Sequence, residues 1–160
     1  MKKRLFLSML CAAGISSAAY ASGGDMALGV QLSNASAMNQ MGLGVKFQCE
    51  LVDAFRLEPS FDYYFKHNSC STWEINLNLH YLIGVTSKFD VYPLAGLGYA
   101  HWSHDVGDGL SRNLDRLVLN LGGGGEVSVT NNVAFTGELR YQIMSDYSQF
   151  VPMVGVKFKF

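Results

Sequence analysis

The stretch HWSHD, residues 101–105, brings together the side chains that are most suggestive of catalysis. A serine can act as a nucleophile when a histidine takes its proton, but the two groups must lie within hydrogen-bonding distance. Neighbouring residues at the end of one strand rarely meet that condition. We therefore interpret HWSHD, like His67 and Ser69, as a polar strand-to-loop junction, and we predict no catalytic residues and no enzyme.

Two other features could indicate a metal or a phosphate, and we interpret both structurally. His80 stands alone on the polar side of its segment, and no pair of histidines has the spacing of a zinc site. The glycine run 122–125 is followed by neither a helix pattern nor a lysine, so it is not a phosphate-binding loop. In a strand such a run lets a bulky neighbour cross it, and we expect Tyr99 or Phe135 to cover the bare backbone. The sequence predicts no metal and no cofactor.

The composition favours a folded, strand-rich chain. The sequence has 160 residues, of which 49% are hydrophobic and 12% aromatic, so it fits one domain and is not a disordered tail. Glycine is frequent, with 17 residues against three prolines. No long segment repeats the i, i+3, i+4 spacing of an amphipathic helix. The expected fold class is all-β.

The first residues predict export. Lys2, Lys3 and Arg4 form a basic region, residues 5–15 an apolar core, and residues 19–21 an A-x-A cleavage site. The apolar core is much shorter than the ~20 residues of a spanning helix. We therefore expect a signal peptide at 1–21 and a mature domain at 22–160. Without the three basic residues, nine basic side chains face 13 acidic ones, which argues against a nucleic-acid partner.

The mature chain alternates apolar and polar residues with period two. From 73 to 84 the odd positions are apolar and most even positions are polar, and residues 41–51 and 55–66 repeat the split. This is the pattern of a strand with two different faces. Further copies begin near Phe89, Leu117, Val133 and Phe150, and one of opposite parity covers Met26 to Leu32. About eight strands of roughly ten residues follow, the length that crosses a bilayer when tilted.

Interior volume decides which face points inward. A soluble lipocalin-like barrel or sandwich would place its apolar face inside, but an eight-stranded barrel has room only for its own side chains. It could not hold the bulky apolar residues of every strand. An outward apolar band is stable in lipid, where closure also leaves no unpaired edge. The sequence thus predicts a closed antiparallel eight-stranded transmembrane β-barrel with up-and-down order.

The connecting segments fit this topology, because short and long links alternate. Short links are expected at 52–54, 85–88 and 129–132, and the longest loop runs from Ser103 to Leu114. Barrels of this kind have short turns on the periplasmic side and longer loops outside. An even number of strands returns both chain ends to the periplasmic side.

Together these features carry a family resemblance. The signal peptide, the alternating strands, the stretch VYPLAGLGYAHW and the closing VGVKFKF resemble the small eight-stranded outer-membrane barrels of Gram-negative bacteria, the relatives of OmpX and the OmpA membrane domain. The resemblance implies a monomer in the cell outer membrane, with outer-membrane lipid and lipopolysaccharide as its surroundings. It also implies that the barrel-assembly machinery reads Phe158 and Phe160 as an assembly signal.

The polar face predicts a charged interior. Seven basic and seven acidic residues fall on inward positions, and buried charges are tolerated when they are paired. Counting from the short links puts Lys46, Asp62, Glu138 and Arg140 near mid-height, with Glu58, Glu126 and Lys157 lower. We expect these residues to form a network that plugs the narrow bore.

Three classes of function remain open at this point. The first is a structural barrel that maintains membrane integrity, and the second is a surface interaction or adhesion barrel. A small pore or an enzyme that modifies lipid A acyl chains is the least favoured. The sequence identifies no ligand for the loop from Ser103 to Leu114.

The terminal aromatic residue gives a testable prediction. If Phe160 is part of the assembly signal, deleting it or introducing Phe160→Asp lowers the amount of heat-modifiable, folded barrel in the outer membrane. A frayed end with no such role tolerates truncation. Quantitative gel-shift analysis of membrane fractions measures the difference, and unchanged assembly of both variants would contradict the assignment.

Overall fold

The computed structural model describes residues 25–37, 39–52, 54–67, 70–105, 111–146 and 148–160, which leaves the predicted signal peptide outside the described residues. Among these residues there is no helix that is long and apolar enough to cross a membrane. The strands are β1 (Met26–Ala35), β2 (Gln40–Val52), β3 (Phe55–His67), β4 (Cys70–Tyr81), β5 (Ile83–Thr86), β6 (Phe89–Asp105), β7 (Ser111–Ser128), β8 (Val133–Ile143) and β9 (Ser148–Lys159).

The sheet closes on itself, because β1 pairs with β2 on one side and with β9 on the other. Strands β4 and β5 both pair with β6, one beyond the other, and only Leu82 separates them. The Leu82 amide donates instead to the Ala54 carbonyl at 2.7 Å. Strands β4 and β5 therefore act as a single interrupted strand, and the predicted closed, antiparallel, eight-stranded barrel is confirmed.

The period-two alternation separates an apolar outside from a polar inside. Leu43 and Val45 of β2 are each 50% exposed, whereas Lys46 next to them is buried. The outward residues repeat this pattern all round the barrel, as at Leu117 on β7 and Phe158 on β9. Such a band is stable in hydrocarbon, and closure satisfies every strand edge at that depth.

The connections at the lower end of the barrel are short. At the lower end β2 and β3, β5 and β6, and β7 and β8 follow one another after two to four residues, as the sequence predicts. Aromatic residues pack outside both ends, with Phe55 against Tyr81 at 5.2 Å below and Tyr141 against Phe150 at 4.8 Å above. Rings at both levels are typical of membrane interfaces.

The expected loop from Ser103 to Leu114 is largely strand, so that prediction is wrong. Strands β6 and β7 have 17 and 18 residues and remain paired up to Asp105 and Ser111. A tilted strand needs only about 9–11 residues to cross a bilayer. The upper part of this hairpin therefore extends beyond the membrane as an ordered ribbon.

The glycine run in β7 makes room for an interior ring, but the covering residues differ from those expected. Tyr92 is the direct partner of Gly124, and a Cβ at Gly124 would lie 2.7 Å from the Tyr92 hydroxyl oxygen and 2.7 Å from the Gly137 carbonyl oxygen. On the outer side a Cβ at Gly125 would lie 3.2 Å from the Phe89 ring. Tyr92 and Phe89 cover this backbone, rather than the predicted Tyr99 or Phe135.

The close contact at Gly124 predicts a stability difference between two glycines. Gly124→Ala forces Tyr92 or the β8 backbone to move, and we expect it to destabilise the barrel by about 1–3 kcal/mol, as overpacking does. Gly137→Ala is the matched control, because its Cβ meets nothing within 4 Å. Urea unfolding of the refolded variants measures both effects, and equal stability of the two variants would contradict the packing argument.

Candidate functional site: the buried network of the lumen

The polar inner face encloses a set of buried charged side chains. The seven residues that the sequence analysis names as the network of the lumen all lie inside the barrel, and none is more than 6% exposed. They are Lys46, Glu58, Asp62, Glu126, Glu138, Arg140 and Lys157. Arg56 and Glu74 join them, each 1% exposed, as does His80 at 0%. The interior is thus charged but shielded from solvent.

The central cluster is built around Glu58 on β3. Arg140 on β8 donates from Nη2 to Glu58 Oε1 at 2.8 Å, and its Nε bonds Glu138 on the same strand. Gln48 donates to the other Glu58 oxygen at 2.6 Å, and Lys46 lies 3.5 Å from it. Both carboxylates are therefore compensated by cations, which is the condition for burying them.

The lower cluster is built around Glu126 on β7. Arg56 donates to Glu126 Oε2 at 2.8 Å and Lys157 at 2.6 Å, while Lys159 lies 3.8 Å from Oε1. Lys157 also donates to Gln48 at 3.0 Å, which links this cluster to the central one. One carboxylate here faces three cations.

The upper cluster contains Asp62 and Glu74 and is made of amides. Gln31 donates to Asp62 at 2.8 Å, and Gln142 donates to Glu74 at 2.9 Å. Two asparagines lie between these carboxylates. The Asn120 side chain donates to the side-chain oxygen of Asn76 at 2.8 Å, and the Asn76 side chain donates to Asp62 at 3.4 Å. The sequence groups Asp62 with the charged network, but the structure gives it amide partners.

His80 lies against the central cluster. It is therefore not isolated, although the sequence suggested that it would be. Its ring stacks on Tyr92 at 4.5 Å, and its Nε2 lies 3.6 Å from Glu58. His80, Glu58 and Glu138 offer ligand atoms within 4.8 Å of one another. Arg140 already bridges the two carboxylates, so we interpret this trio as part of the ion-pair network and not as a metal centre.

Residues missed at the level of sequence are those whose partners lie on distant strands. Period two places Arg56 and Glu74 on the inner face, but it does not say that Arg56 reaches Glu126, 70 residues away. The Arg56 guanidinium carbon also lies 5.1 Å from the centre of the Tyr92 ring. These contacts depend on strand stagger, which no local pattern encodes.

The HWSHD stretch has a different partner from the one its sequence offers. His101 points outward near the upper rim, with its Nδ1 2.5 Å from Asp115 on β7, and its ring stacks on Trp73 at 5.2 Å. Among the described side chains no hydrogen bond joins Ser103 to His101. The structure therefore contains an imidazole–carboxylate pair without a nucleophile bonded to it.

The network as a whole ties opposite walls of the barrel together. Strands β3 and β8 have three strands between them in either direction round the closed sheet, counting β4 and β5 as one. The Arg140–Glu58 pair therefore spans the diameter of the bore. Because the bore of an eight-stranded barrel is narrow, side chains can join its opposite walls in this way, which is suited to holding the wall rigid.

Comparison with known proteins agrees with this architecture. The N-terminal barrel domain of Pseudomonas aeruginosa OprF is similar over 86% of this chain and 99% of its own, with a TM-score of 0.74 and 18% identity. Neisserial surface protein A is similar over 87% of this chain and 98% of its own, with a TM-score of 0.69 and 19% identity. The Yersinia pestis attachment invasion locus protein Ail is similar over 86% and 97%, with a TM-score of 0.61 and 18% identity.

These likenesses concern the fold, since the identities are low. No curated protein matches the chain significantly. The family profile described as the outer membrane protein beta-barrel domain matches residues 5–160. The resemblance seen in the sequence is thereby confirmed, and so is the expected location in the outer membrane. The chain belongs to the outer membrane protein beta-barrel domain family.

Proposed function

We propose that the protein is a monomeric structural barrel that maintains outer-membrane integrity, with a lumen plugged by its own charge network. The Arg140–Glu58 pair carries the proposal, because both side chains are 0% exposed and join opposite walls. A rigid closed wall that passes no solute reinforces a membrane without weakening its barrier.

Three further observations support a closed structural barrel. The eight-stranded bore is narrow, whereas porins with water-filled channels use about 16 strands or more. The central and lower clusters link β2, β3, β7, β8 and β9 through side chains alone. The similar barrels of OprF, NspA and Ail fit a role other than catalysis. The proposed surroundings are outer-membrane lipid and lipopolysaccharide, with the barrel-assembly machinery as a transient partner.

A surface interaction role is the second candidate, favoured by the long hairpin of β6 and β7. Its upper part is held by a small buried cluster of Ala100, Trp102, Val118 and Met144. The similar barrel Ail is the attachment invasion locus protein of Yersinia pestis. An ordered ribbon outside the membrane would offer a surface for such a partner, while the barrel beneath would serve as its anchor.

The plugged lumen predicts how conduction and stability respond to Arg140→Ala. The change leaves Glu58 and Glu138 buried without their shared guanidinium, which destabilises the barrel by about 3–5 kcal/mol. In planar bilayers we expect rare, small openings in the unmodified protein and more frequent ones in the variant. A large, steady conductance of the unmodified protein would contradict the plug.

Two further variants distinguish the buried pair from charge in general. Arg116→Ala removes a partly buried arginine whose carboxylate partner, Asp146, is exposed, and an ion pair with a solvent-exposed partner contributes at most about 1 kcal/mol. Combining Arg140→Ala with Glu138→Gln removes one uncompensated carboxylate and is expected to restore part of the stability. An Arg116 effect as large as that of Arg140 would argue against the network.

The structural role itself is tested in a deletion strain. We expect greater sensitivity to detergent and to large antibiotics, restored by the unmodified gene, and lipid A mass spectra identical to those of the parent. Altered lipid A acylation would favour an enzyme instead. Unchanged barrier function together with lost binding to host cells or matrix would favour the adhesion role.

A further inference from the structure

The upper lumen holds two carboxylates that the ion-pair network does not compensate. Asp62 and Glu74 are direct partners across β3 and β4, and they are 0% and 1% exposed. Among the described side chains, no lysine, arginine or histidine lies within 4.0 Å of either one. Two buried charges of the same sign, placed side by side, require a counter-charge or a proton.

The hydrogen bonds to these carboxylates come from neutral groups. Gln31 and Asn76 donate to Asp62, and Gln142 donates to Glu74. Amide donors orient a carboxylate but do not neutralise it. Arg140 bonds Glu138 and Glu58 through its Nε and Nη2, while its Nη1 has no described hydrogen bond. Its charge attracts Asp62 at longer range, but it forms no ion pair with Asp62 or Glu74.

Several buried side-chain oxygens in the upper lumen have no described hydrogen bond, among them the hydroxyl oxygens of Ser33 and Tyr64. Near Asp62 and Glu74 the buried side-chain atoms without a described hydrogen bond include oxygens, namely Glu74 Oε1, Gln31 Oε1 and Gln149 Oε1. Gln31 is 2% exposed and Gln149 3%. Each uses its amide nitrogen within this cluster, on Asp62 and on Gln142. In the central and lower clusters the unpartnered atoms include nitrogens of Arg56, Arg140 and His80.

The count of fully buried charges agrees with this division. Among the described residues five acids are buried, at Glu58, Asp62, Glu74, Glu126 and Glu138, against the four buried bases Lys46, Arg56, Arg140 and Lys157, and the partly exposed Lys159 lies beside Glu126. The bases all contact carboxylates of the central and lower clusters. The negative surplus therefore lies at Asp62 and Glu74.

We propose that the upper lumen binds one Ca²⁺ ion through the carboxylates of Asp62 and Glu74, with the carbonyl oxygens of Gln31 and Gln149 as further ligands. Carboxylate and amide oxygens are the ligands that Ca²⁺ prefers, and it accepts irregular geometry, whereas Mg²⁺ demands a near-ideal octahedron. The site rests on the closed lumen proposed above. The ion neutralises the surplus charge and ties β1, β3, β4 and β9 together at the end opposite the Arg56–Glu126 cluster.

Thermal unfolding of the refolded, EDTA-treated barrel in lipopolysaccharide-free detergent tests the site. Saturating CaCl₂ is expected to raise the Tm by about 5–10 °C, the shift for an ion at about 100 times its Kd. Equilibrium dialysis with radioactive Ca²⁺ is expected to find one ion per barrel. NaCl at matched ionic strength is expected to leave the Tm unchanged, and MgCl₂ to raise it less.

Variants give effects of opposite sign. Asp62→Asn and Glu74→Gln are expected to abolish the Ca²⁺ shift and to raise the Tm of the EDTA-treated protein, because each removes a surplus buried charge. Glu126→Gln is expected to lower the Tm but keep the Ca²⁺ shift, since its carboxylate has its own cations. Asp146→Asn, at the exposed rim, serves as a control that folds and responds normally.

Several outcomes would overturn the site. One is a Ca²⁺ shift of equal size in Glu74→Gln, and another is a shift that NaCl reproduces. A third is a Tm that ignores Ca²⁺ but rises as the pH falls, which would mean that the two carboxyls share a proton. The last is a Ca²⁺-independent barrel that Lys66→Met destabilises, which would make Lys66, whose side chain lies outside the described residues, the counter-charge. None of these measurements depends on conductance. They can therefore disprove the Ca²⁺ site without disproving the closed lumen, and the conductance measurement can do the reverse.

Discussion

The ion pair that crosses the bore from Arg140 to Glu58 is the contact on which the other interior contacts depend. An outward apolar band forces every polar side chain of eight strands into a space with little water. Buried charges are tolerated there when they are paired, as those of the central and lower clusters are. Arg140 compensates Glu58 and Glu138 at once, and Gln48 then links Glu58 to Lys157 and so to Glu126.

The lipid outside sets the complementary constraint. Hydrocarbon offers no hydrogen bonds, so the sheet must close, and the β1–β9 pairing does so between the first and last strands. Closure cannot occur until both ends of the chain are present. The aromatic pairs Phe55–Tyr81 and Tyr141–Phe150 then lie near the two interfaces. The barrel wall and the charge network therefore stabilise each other, since the wall shields the charges from water and the ion pairs join opposite strands.

Sequence alone predicted the inward and outward faces of the strands better than the contacts between charged side chains in the lumen. Period two assigns each residue a face, and it is a local property, so the exposed Leu43 and the buried Lys46 could both be predicted. Height in the barrel depends on tilt and stagger, which are properties of the whole sheet. Counting from the turns set Glu58 below Arg140, yet the two side chains meet at 2.8 Å. The extended β6–β7 ribbon was missed because polar residues such as those of HWSHD suit a loop and a solvent-exposed strand equally well.

The lower and upper halves of the interior differ in the types of side chain that they contain. Arginine and lysine are long, so those of the lower half find carboxylates two or three strands away, as Arg56 finds Glu126. The upper half has neutral amides, which form a chain from Gln31 to Gln142 and also cross the bore, as Gln142 on β8 does to Glu74 on β4. Amides donate hydrogen bonds but carry no charge, so they do not neutralise the carboxylates of Asp62 and Glu74. The carboxylates of the lower half are thus compensated by cations of the described network, whereas Asp62 and Glu74 in the upper half have only neutral hydrogen-bond donors.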